Sequence, residues 1–136
     1  MNGFIPFFPC FNVKILFVCV SNILRSQIAE ACLRKLGGTA QSAGIHGDEY
    51  DEIPDSIISI AVEAGLELGR PKMLSQELMD WADKIIALDR SVLKAVPAHY
   101  SKKLVLWDVP DTSVSNIKKL REIRDIVLEK VSQARK

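Results

Sequence analysis

The sequence has few cysteines, no long apolar run free of breaks and almost no net charge, and each shortage excludes a class of protein. Its three cysteines in 136 residues are too few and too unevenly spaced for a disulfide framework. A formal net charge of +1 gives no electrostatic footprint for nucleic acid or for a membrane surface. We therefore expect a cytoplasmic protein with reduced thiols, without a nucleic-acid partner and without membrane association.

The beginning of the chain lacks the features of a targeting segment. Residues 1–12 are mostly apolar, but they contain no basic residue, and Pro6 and Pro9 interrupt them. Neither a signal peptide nor a membrane span has this pattern. We interpret residues 1–12 as an N-terminal extension that includes Cys10. Residues 13–136 are predicted to form one domain, long enough to bury a core.

Apolar runs alternate with helical patterns along this domain. The runs predict strands at residues 13–18, 39–43, 84–88 and 103–106. Apolar residues at helical spacing predict helices at residues 26–36, 55–64, 75–81 and 91–96, and a last helix with its apolar stripe at residues 117–131. Asp55 is the predicted N-cap of the second helix. The alternation predicts an α/β fold, a four-stranded parallel sheet flanked by helices on both faces.

The most informative segment follows the first strand. Cys19 stands at the end of that strand, and Arg25 and Ser26 stand at the start of the helix. Backbone N–H groups at a helix N-terminus, together with a guanidinium, stabilise a thiolate, and the same donors bind phosphate oxygens. The Cys19 loop, residues 19–26, therefore predicts a phosphate-binding loop that performs covalent chemistry on a phosphate-like oxyanion.

Individual residues of the Cys19 loop suit this hypothesis. The guanidinium of Arg25 can bind two phosphate oxygens, the hydroxyl of Ser26 can donate to the thiolate, and Asn22 tolerates a left-handed backbone. A buried structural cysteine would leave all three unexplained. The predicted phosphate-binding residues are Val20, Ser21, Asn22, Ile23, Leu24, Arg25 and Ser26.

Two other segments are predicted to meet the Cys19 loop. Sites in open parallel sheets lie beyond the carboxyl ends of the strands. Asp89-Arg90 follows the third predicted strand, and residues 107–112 follow the fourth. Asp89 is expected either to orient the Cys19 loop or to cap the helix that follows it.

With these residues in place, the chain resembles the low-molecular-weight protein tyrosine phosphatases and the related thioredoxin-coupled arsenate reductases. Four segments carry the resemblance in the family's order: residues 15–31, 42–45, 82–91 and 107–111. It implies Cys19 as the nucleophile that forms a phosphocysteine, and Arg25 as the group that binds substrate and transition state. It implies no metal and no cofactor.

The resemblance also assigns supporting roles. Asn22 and Ser42 would brace the loop, and Asp111 would act as general acid and then as general base. Asp108, three residues earlier, is a competing acid. The expected substrates are a phosphotyrosine protein or peptide, or a small phosphomonoester.

Several positions depart from the family's pattern. Its Asp-Pro pair is Asp111-Thr112 here, and Gly69 stands where many members have a histidine that supports the loop. Asp48 stands where many members have a substrate-binding aromatic residue, and Tyr50 or His46 can substitute for it.

Two alternatives to a phosphatase remain at this point. Gln27 is more typical of the arsenate reductases, although the two further cysteines that they need match Asp89 and Val96. Cys32 has the spacing of a small core residue and not of a relay thiol. The other alternative is a non-catalytic module that binds an oxyanion or a protein partner.

Overall fold

The computed structural model describes residues 13–135. The strands are β1 (Lys14–Cys19), β2 (Thr39–Gly44), β3 (Lys84–Ala87) and β4 (Leu104–Leu106). The helices are α1 (Arg25–Lys35), α2 (Asp55–Glu63), α3 (Gln76–Trp81), α4 (Arg90–Ala95) and α5 (Ile117–Arg135), with a 3-10 helix at Ala98–Lys103. Residues 1–12 with Cys10 lie outside the described residues, and the interpretation of this segment as an extension stays a prediction.

All four strands are parallel, in the order β2-β1-β3-β4. β1 therefore lies inside the sheet, and its residues from Ile15 to Cys19 are buried. Parallel strands buried on both faces carry continuous apolar runs, as this strand does. The carboxyl end of β1 places Cys19 beside Gly44 of β2.

Helices cover both faces of the sheet, which confirms the predicted α/β architecture. On one face, Phe17 belongs to a core shared with α1, α2 and α5. On the other, Leu16 and Val18 pack with residues of α3 and α4. Phe17 is fully buried, so its replacement by alanine would cost about 3–5 kcal/mol of stability.

The apolar stripe predicted for the last helix faces this core. Leu120, Ile123, Val127 and Val131 are buried, whereas Ile117 at the start of the helix is 37% exposed. Cys32 is buried in the same core, in agreement with the role expected for it. Burial raises the pKa of the Cys32 thiol, as expected for a group shielded from water.

Differences from the predicted elements lie at their ends, and one short element was not predicted. Asp55 was predicted as the N-cap of the second helix, and this is wrong: Pro54 is the N-cap, with no side-chain bond, and Asp55 is the first helical residue. Ser75 does cap α3, accepting a hydrogen bond from Leu78 N at 3.2 Å. The 3-10 helix before β4 was not predicted, because its short polar segment has no apolar periodicity.

None of the helices within residues 13–135 combines the length and the apolar character needed to cross a membrane.

Candidate active site

The Cys19 loop is a tight turn between β1 and α1. Asn22 is fully buried and adopts a left-handed backbone with φ 58°, a conformation that asparagine accepts more readily than most residues. Gly44 lies against the loop: a Cβ at this position would come within 2.5 Å of Val20 O. The Ser42–Ile45 segment therefore needs a glycine because the backbone of the Cys19 loop occupies the space of a side chain.

The nucleophile predicted from the sequence contacts the predicted hydroxyl donor. Cys19 Sγ lies 2.8 Å from Ser26 Oγ, and both residues are buried. Ser26 is the second residue of α1, so the sulfur lies at the end of the helix where N–H groups are unpaired by the helix itself. This end of a helix attracts anions.

The side-chain amide of Asn22 connects the Cys19 loop to its surroundings. Its Nδ2 donates to Ser26 Oγ at 2.8 Å and to Ser42 Oγ at 2.9 Å. Its Oδ1 accepts from Lys72 N at 2.9 Å. Ser42 donates in turn to Glu30, whose carboxylate pairs with Arg34 at 3.0 Å. Ser42 thus lies where the resemblance implies a brace.

Arg25 is held from behind by three oxygen atoms. Its Nη1 donates to Leu88 O at 3.2 Å, to Val109 O at 2.8 Å and to Asp89 Oδ1 at 2.8 Å. The whole Arg25 side chain is 3% exposed. Because Nη1 is fixed in this way, the opposite edge of the guanidinium is kept in one orientation.

Asp89 contacts both of the groups between which the sequence left a choice, the Cys19 loop and the helix that follows Asp89. One carboxylate oxygen pairs with Arg25, and the other accepts from Ser91 N at 3.0 Å as the N-cap of α4. Burial by itself would raise the pKa of Asp89, but the hydrogen bonds from Ser91 and Arg25 outweigh it and hold the pKa at about 2. Asp89 is therefore a carboxylate at neutral pH.

The two candidate acids have different surroundings. Asp111 Oδ2 lies 3.4 Å from Arg25 Nη2, its side chain is 58% exposed, and its Oδ1 accepts from Thr112 N at 2.9 Å. Asp108 instead forms an exposed ion pair with Arg90 at 2.9 Å. Of the two, only Asp111 borders the cavity that contains Cys19.

That cavity has a volume of about 390 Å³. Cys19 and Arg25 line it, together with the acidic residues Glu49 and Asp111. Its apolar lining consists of Val20, Ile23, Leu24, Tyr50, Ile57, Val114 and Leu120. A larger groove of about 670 Å³ lies between α2 and residues 65–70 and contains no thiol.

The rim nearest the loop after β2 includes a residue expected to contact substrate. Tyr50 lines the cavity and is half-buried, whereas His46 and Asp48 are exposed and do not line it. Glu49 accepts a hydrogen bond from the hydroxyl of Ser21. Of the two substitutes considered for the aromatic residue, Tyr50 is the one at the cavity.

Sequence reasoning missed several contributors to this site. The carbonyls of Leu88 and Val109 bind Arg25, but backbone groups leave no signal in a sequence. Gln27 and Glu30 are buried polar residues on the inner side of α1 and bond to the residues around the Cys19 loop. Their polarity on the side of α1 that also buries apolar residues was the available signal.

Among residues 13–135, no group of three or more histidine, cysteine, aspartate or glutamate side chains is arranged to hold a metal ion. Cys19 and Cys32 are the free cysteines of this part of the chain, and both are buried.

A comparison with protein families decides the relationship. Residues 14–135 match the family described as low molecular weight phosphotyrosine protein phosphatase. The chain belongs to this family. The match includes all four strands, the Cys19 loop and Asp111, so family membership rests on nearly the whole described fold.

The relatives of this chain differ in the activity for which they are named. A protein-arginine-phosphatase of Geobacillus stearothermophilus is 35% identical over 79 residues, which are 55% of this chain and 53% of that protein, so the match spans about half the length of that relative. An arsenate reductase of Brevibacillus brevis is 26% identical over 116 residues, 82% of this chain and 85% of that protein.

A solved structure of the tyrosine phosphatase Wzb from Escherichia coli K30, in complex with sulphate, has the same fold. It superposes with a TM-score of 0.76 at 25% identity, covering 88% of this chain and 92% of that chain. The chain is thus similar to phosphatases of two substrate classes and to an arsenate reductase.

Proposed function

We propose that this protein hydrolyses phosphate monoesters through a phosphocysteine on Cys19. The observation that carries the proposal is the meeting of a buried thiol, an anchored guanidinium and an exposed carboxylate at one cavity. A nucleophile, a charge-stabilising group and a general acid are the three parts that such a reaction needs.

In the first step, the Cys19 thiolate attacks phosphorus, and the bond between phosphorus and the leaving oxygen breaks. Asp111 gives its proton to that oxygen, while Arg25 and the N–H groups at the start of α1 stabilise the charge on the phosphoryl oxygens. In the second step, Asp111 takes a proton from water, which attacks phosphorus. The S–P bond then breaks, and phosphate and the thiolate are released.

Two contacts support Asp111 over Asp108 as the acid. Asp111 lies 3.4 Å from the group proposed to bind phosphate, and it borders the cavity. Asp108 pairs with Arg90 on the surface. The exposure of Asp111 also suits a group that exchanges protons with a leaving group and with water.

We propose phosphotyrosine, in proteins or peptides, as the preferred substrate. The apolar lining of the cavity and the ring of Tyr50 suit an aryl ester, because an aromatic side chain gains most from packing against another ring. The second candidate is phosphoarginine, because the carboxylates of Glu49 and Asp111 in the cavity wall are able to pair with a guanidinium.

A comparison of kcat/KM on matched peptides that carry phosphotyrosine or phosphoarginine at the same position tests this choice. We expect the phosphotyrosine peptide to be preferred by about tenfold or more. The reverse preference would assign the protein to the arginine phosphatases.

Arsenate reduction receives less support from this site. The positions that match the further cysteines of arsenate reductases are Asp89, which is paired with Arg25, and Val96, which is buried. Turnover of arsenate with thioredoxin or glutathione, at a rate above phosphoester hydrolysis, would reverse this ranking. Phosphate binding in a calorimeter without hydrolysis of any ester would instead favour a binding module.

A reducing compartment such as the cytoplasm suits a thiol nucleophile, and this localisation stays a prediction.

A further inference from the structure

Gln27 is a buried polar residue to which the reaction above gives no role. It lies in the first turn of α1, is 2% exposed and does not line the cavity that contains Cys19. A buried amide is costly unless it is hydrogen-bonded. Its partners therefore indicate why the buried side of α1 includes it.

The amide of Gln27 spans the space between the Cys19 loop and the chain at residues 69–72. Its Oε1 accepts from Gly69 N at 3.0 Å, and its Nε2 donates to Arg70 O at 3.2 Å and to Asn22 Oδ1 at 3.3 Å. A backbone N–H only donates and a backbone carbonyl only accepts. The contacts with Gly69 and Arg70 therefore fix which end of the Gln27 amide faces Asn22.

The orientation of the Asn22 amide follows from the same rule. Its Oδ1 receives hydrogen bonds from Gln27 and from Lys72 N, at 3.3 Å and 2.9 Å. Its Nδ2 must then face the other way, where it donates to Ser26 and Ser42. The hydroxyl oxygen of Ser26 is thus an acceptor towards Asn22.

These contacts determine the direction of the hydrogen bond between Ser26 Oγ and Cys19 Sγ. A serine hydroxyl has one hydrogen. Because Ser26 Oγ accepts from Asn22, that hydrogen is left for Cys19 Sγ, 2.8 Å away. A hydroxyl that donates to sulfur favours the thiolate, which is the nucleophilic form.

We propose that Gln27 is a positioning residue: together with the backbone of residues 69–72 it fixes the amide of Asn22, and thereby directs the Ser26 hydroxyl at the Cys19 sulfur. The proposal rests on Cys19 being the nucleophile of the proposed function. It assigns a role in the site to a polar side chain that touches neither substrate nor sulfur.

The test measures the thiol directly, without requiring hydrolysis. The rate of alkylation of Cys19 by iodoacetamide is followed across pH, with the modified peptide identified by mass so that Cys10 and Cys32 do not contribute. The other charged or titratable groups around the cavity are Arg25, Glu49, Tyr50 and Asp111. They are the same in every variant compared, so a change in the profile reports the hydrogen-bond network.

For Gln27→Met, which retains length and removes the amide, we expect alkylation at neutral pH to be about fivefold slower, with the profile moved to higher pH. In Ser26→Ala, which lacks the hydroxyl, adding Gln27→Met should change the rate by less than about twofold, because the effect passes through Ser26. Lys35→Gln, at the exposed end of the same helix and bonded only to the carbonyls of Ala64 and Gly65, is the matched control and should alkylate as the wild type does.

Two results would overturn the proposal: a wild-type alkylation profile for folded Gln27→Met, or effects of Gln27→Met and Ser26→Ala that multiply. If Gln27→Met does not fold, Gln27→Glu takes its place, because a carboxylate still accepts from Gly69 N but repels Asn22 Oδ1. The added charge of Gln27→Glu acts on Cys19 whether or not Ser26 is present. The proposal is therefore supported only if Gln27→Glu slows alkylation less in Ser26→Ala than in the wild type, and it is overturned if the effect is equal in both.

The outcome is separable from that of the proposed function. Normal ester hydrolysis with an unchanged alkylation profile would refute the role of Gln27 alone. A protein that hydrolyses no ester, yet shows the predicted dependence of alkylation on Gln27 and Ser26, would refute the proposed reaction and retain the role of Gln27 in setting the reactivity of the thiol.

Discussion

The side of the cavity that carries Cys19 and the side that carries Asp111 are built in opposite ways. Asn22, Ser26 and Arg25 are at most 2% exposed, and Asn22 and Arg25 bond to groups in other segments of the chain. Asp111 lies in the irregular segment between β4 and α5, and its side chain is 58% exposed. The difference indicates that the geometry around the proposed nucleophile is fixed in advance, while the proposed acid is accessible to the solvent.

The fixed side is expected to give the largest mutational effects. Arg25→Ala should lower kcat/KM by about 10³- to 10⁴-fold, because the guanidinium is proposed to bind the phosphoryl group in the ground state and in the transition state. Steady-state kinetics with p-nitrophenyl phosphate measure this loss. Arg25→Lys is the matched control: it retains the charge but not the planar fork, and it should recover only a small part of the rate.

The exposed side should show an effect that depends on the leaving group. Asp111→Asn should lower kcat by about 10²- to 10³-fold with phenyl phosphate and by less with p-nitrophenyl phosphate, whose leaving group needs no proton. Asp108→Asn should change both rates by less than about twofold. A severe loss in Asp108→Asn with little effect in Asp111→Asn would reverse the assignment of the acid.

The rim of the cavity should affect substrate preference more than chemistry. Tyr50→Ala should reduce kcat/KM for a phosphotyrosine peptide by about fivefold to tenfold, mostly through KM, because it removes an aromatic contact. His46→Ala, an exposed change outside the cavity lining, is the control. Equal losses in both variants would show that the ring of Tyr50 does not contact substrate.

The smallest expected effect is on the stability of the protein, through Asp89, which pairs with Arg25 on the side of the cavity that carries Cys19. The pKa of Asp89 is about 2 in the folded protein, below its usual value of 3.8, so its contribution to stability is present above about pH 4 and is lost as the pH falls through about 2. Asp89→Asn should therefore lower the free energy of unfolding by about 2 kcal/mol at pH 7. Asparagine can still cap the helix, but its neutral amide loses the charge-assisted part of the hydrogen bonds from Ser91 and from Arg25.

Urea denaturation at several pH values measures this difference, which should shrink as the pH falls towards 2. Asp108→Asn is the matched control, because its exposed ion pair with Arg90 is expected to contribute less than about 1 kcal/mol. A loss for Asp89→Asn that stays constant down to pH 2 would contradict the electrostatic explanation.

The features that the sequence predicted are those that depend on local patterns of residues. The apolar run before Cys19 and the helical spacing after Arg25 predict β1, α1 and the loop between them, because local patterns determine each of them. Asn22 was expected to tolerate a left-handed conformation from its residue type alone, and its φ of 58° is compatible with this expectation.

What the sequence did not predict depends on contacts between distant segments. The bonds of Arg25 to Leu88 O and Val109 O join residues 63 and 84 positions apart, and backbone carbonyls have no sequence signature. Gln27 was noted only as a resemblance to arsenate reductases, and its link to Gly69 becomes visible only when the chain at residues 69–72 returns to α1.

Hydrolysis of p-nitrophenyl phosphate across pH by the wild-type protein and by Cys19→Ser tests the central claim most directly. The account predicts hydrolysis by the wild type and at least about a thousandfold less by Cys19→Ser, which retains the size of the side chain but not the nucleophile. An inactive wild type that is folded, with Cys19 reduced, would contradict the account, and so would a Cys19→Ser variant that hydrolyses the ester as fast as the wild type.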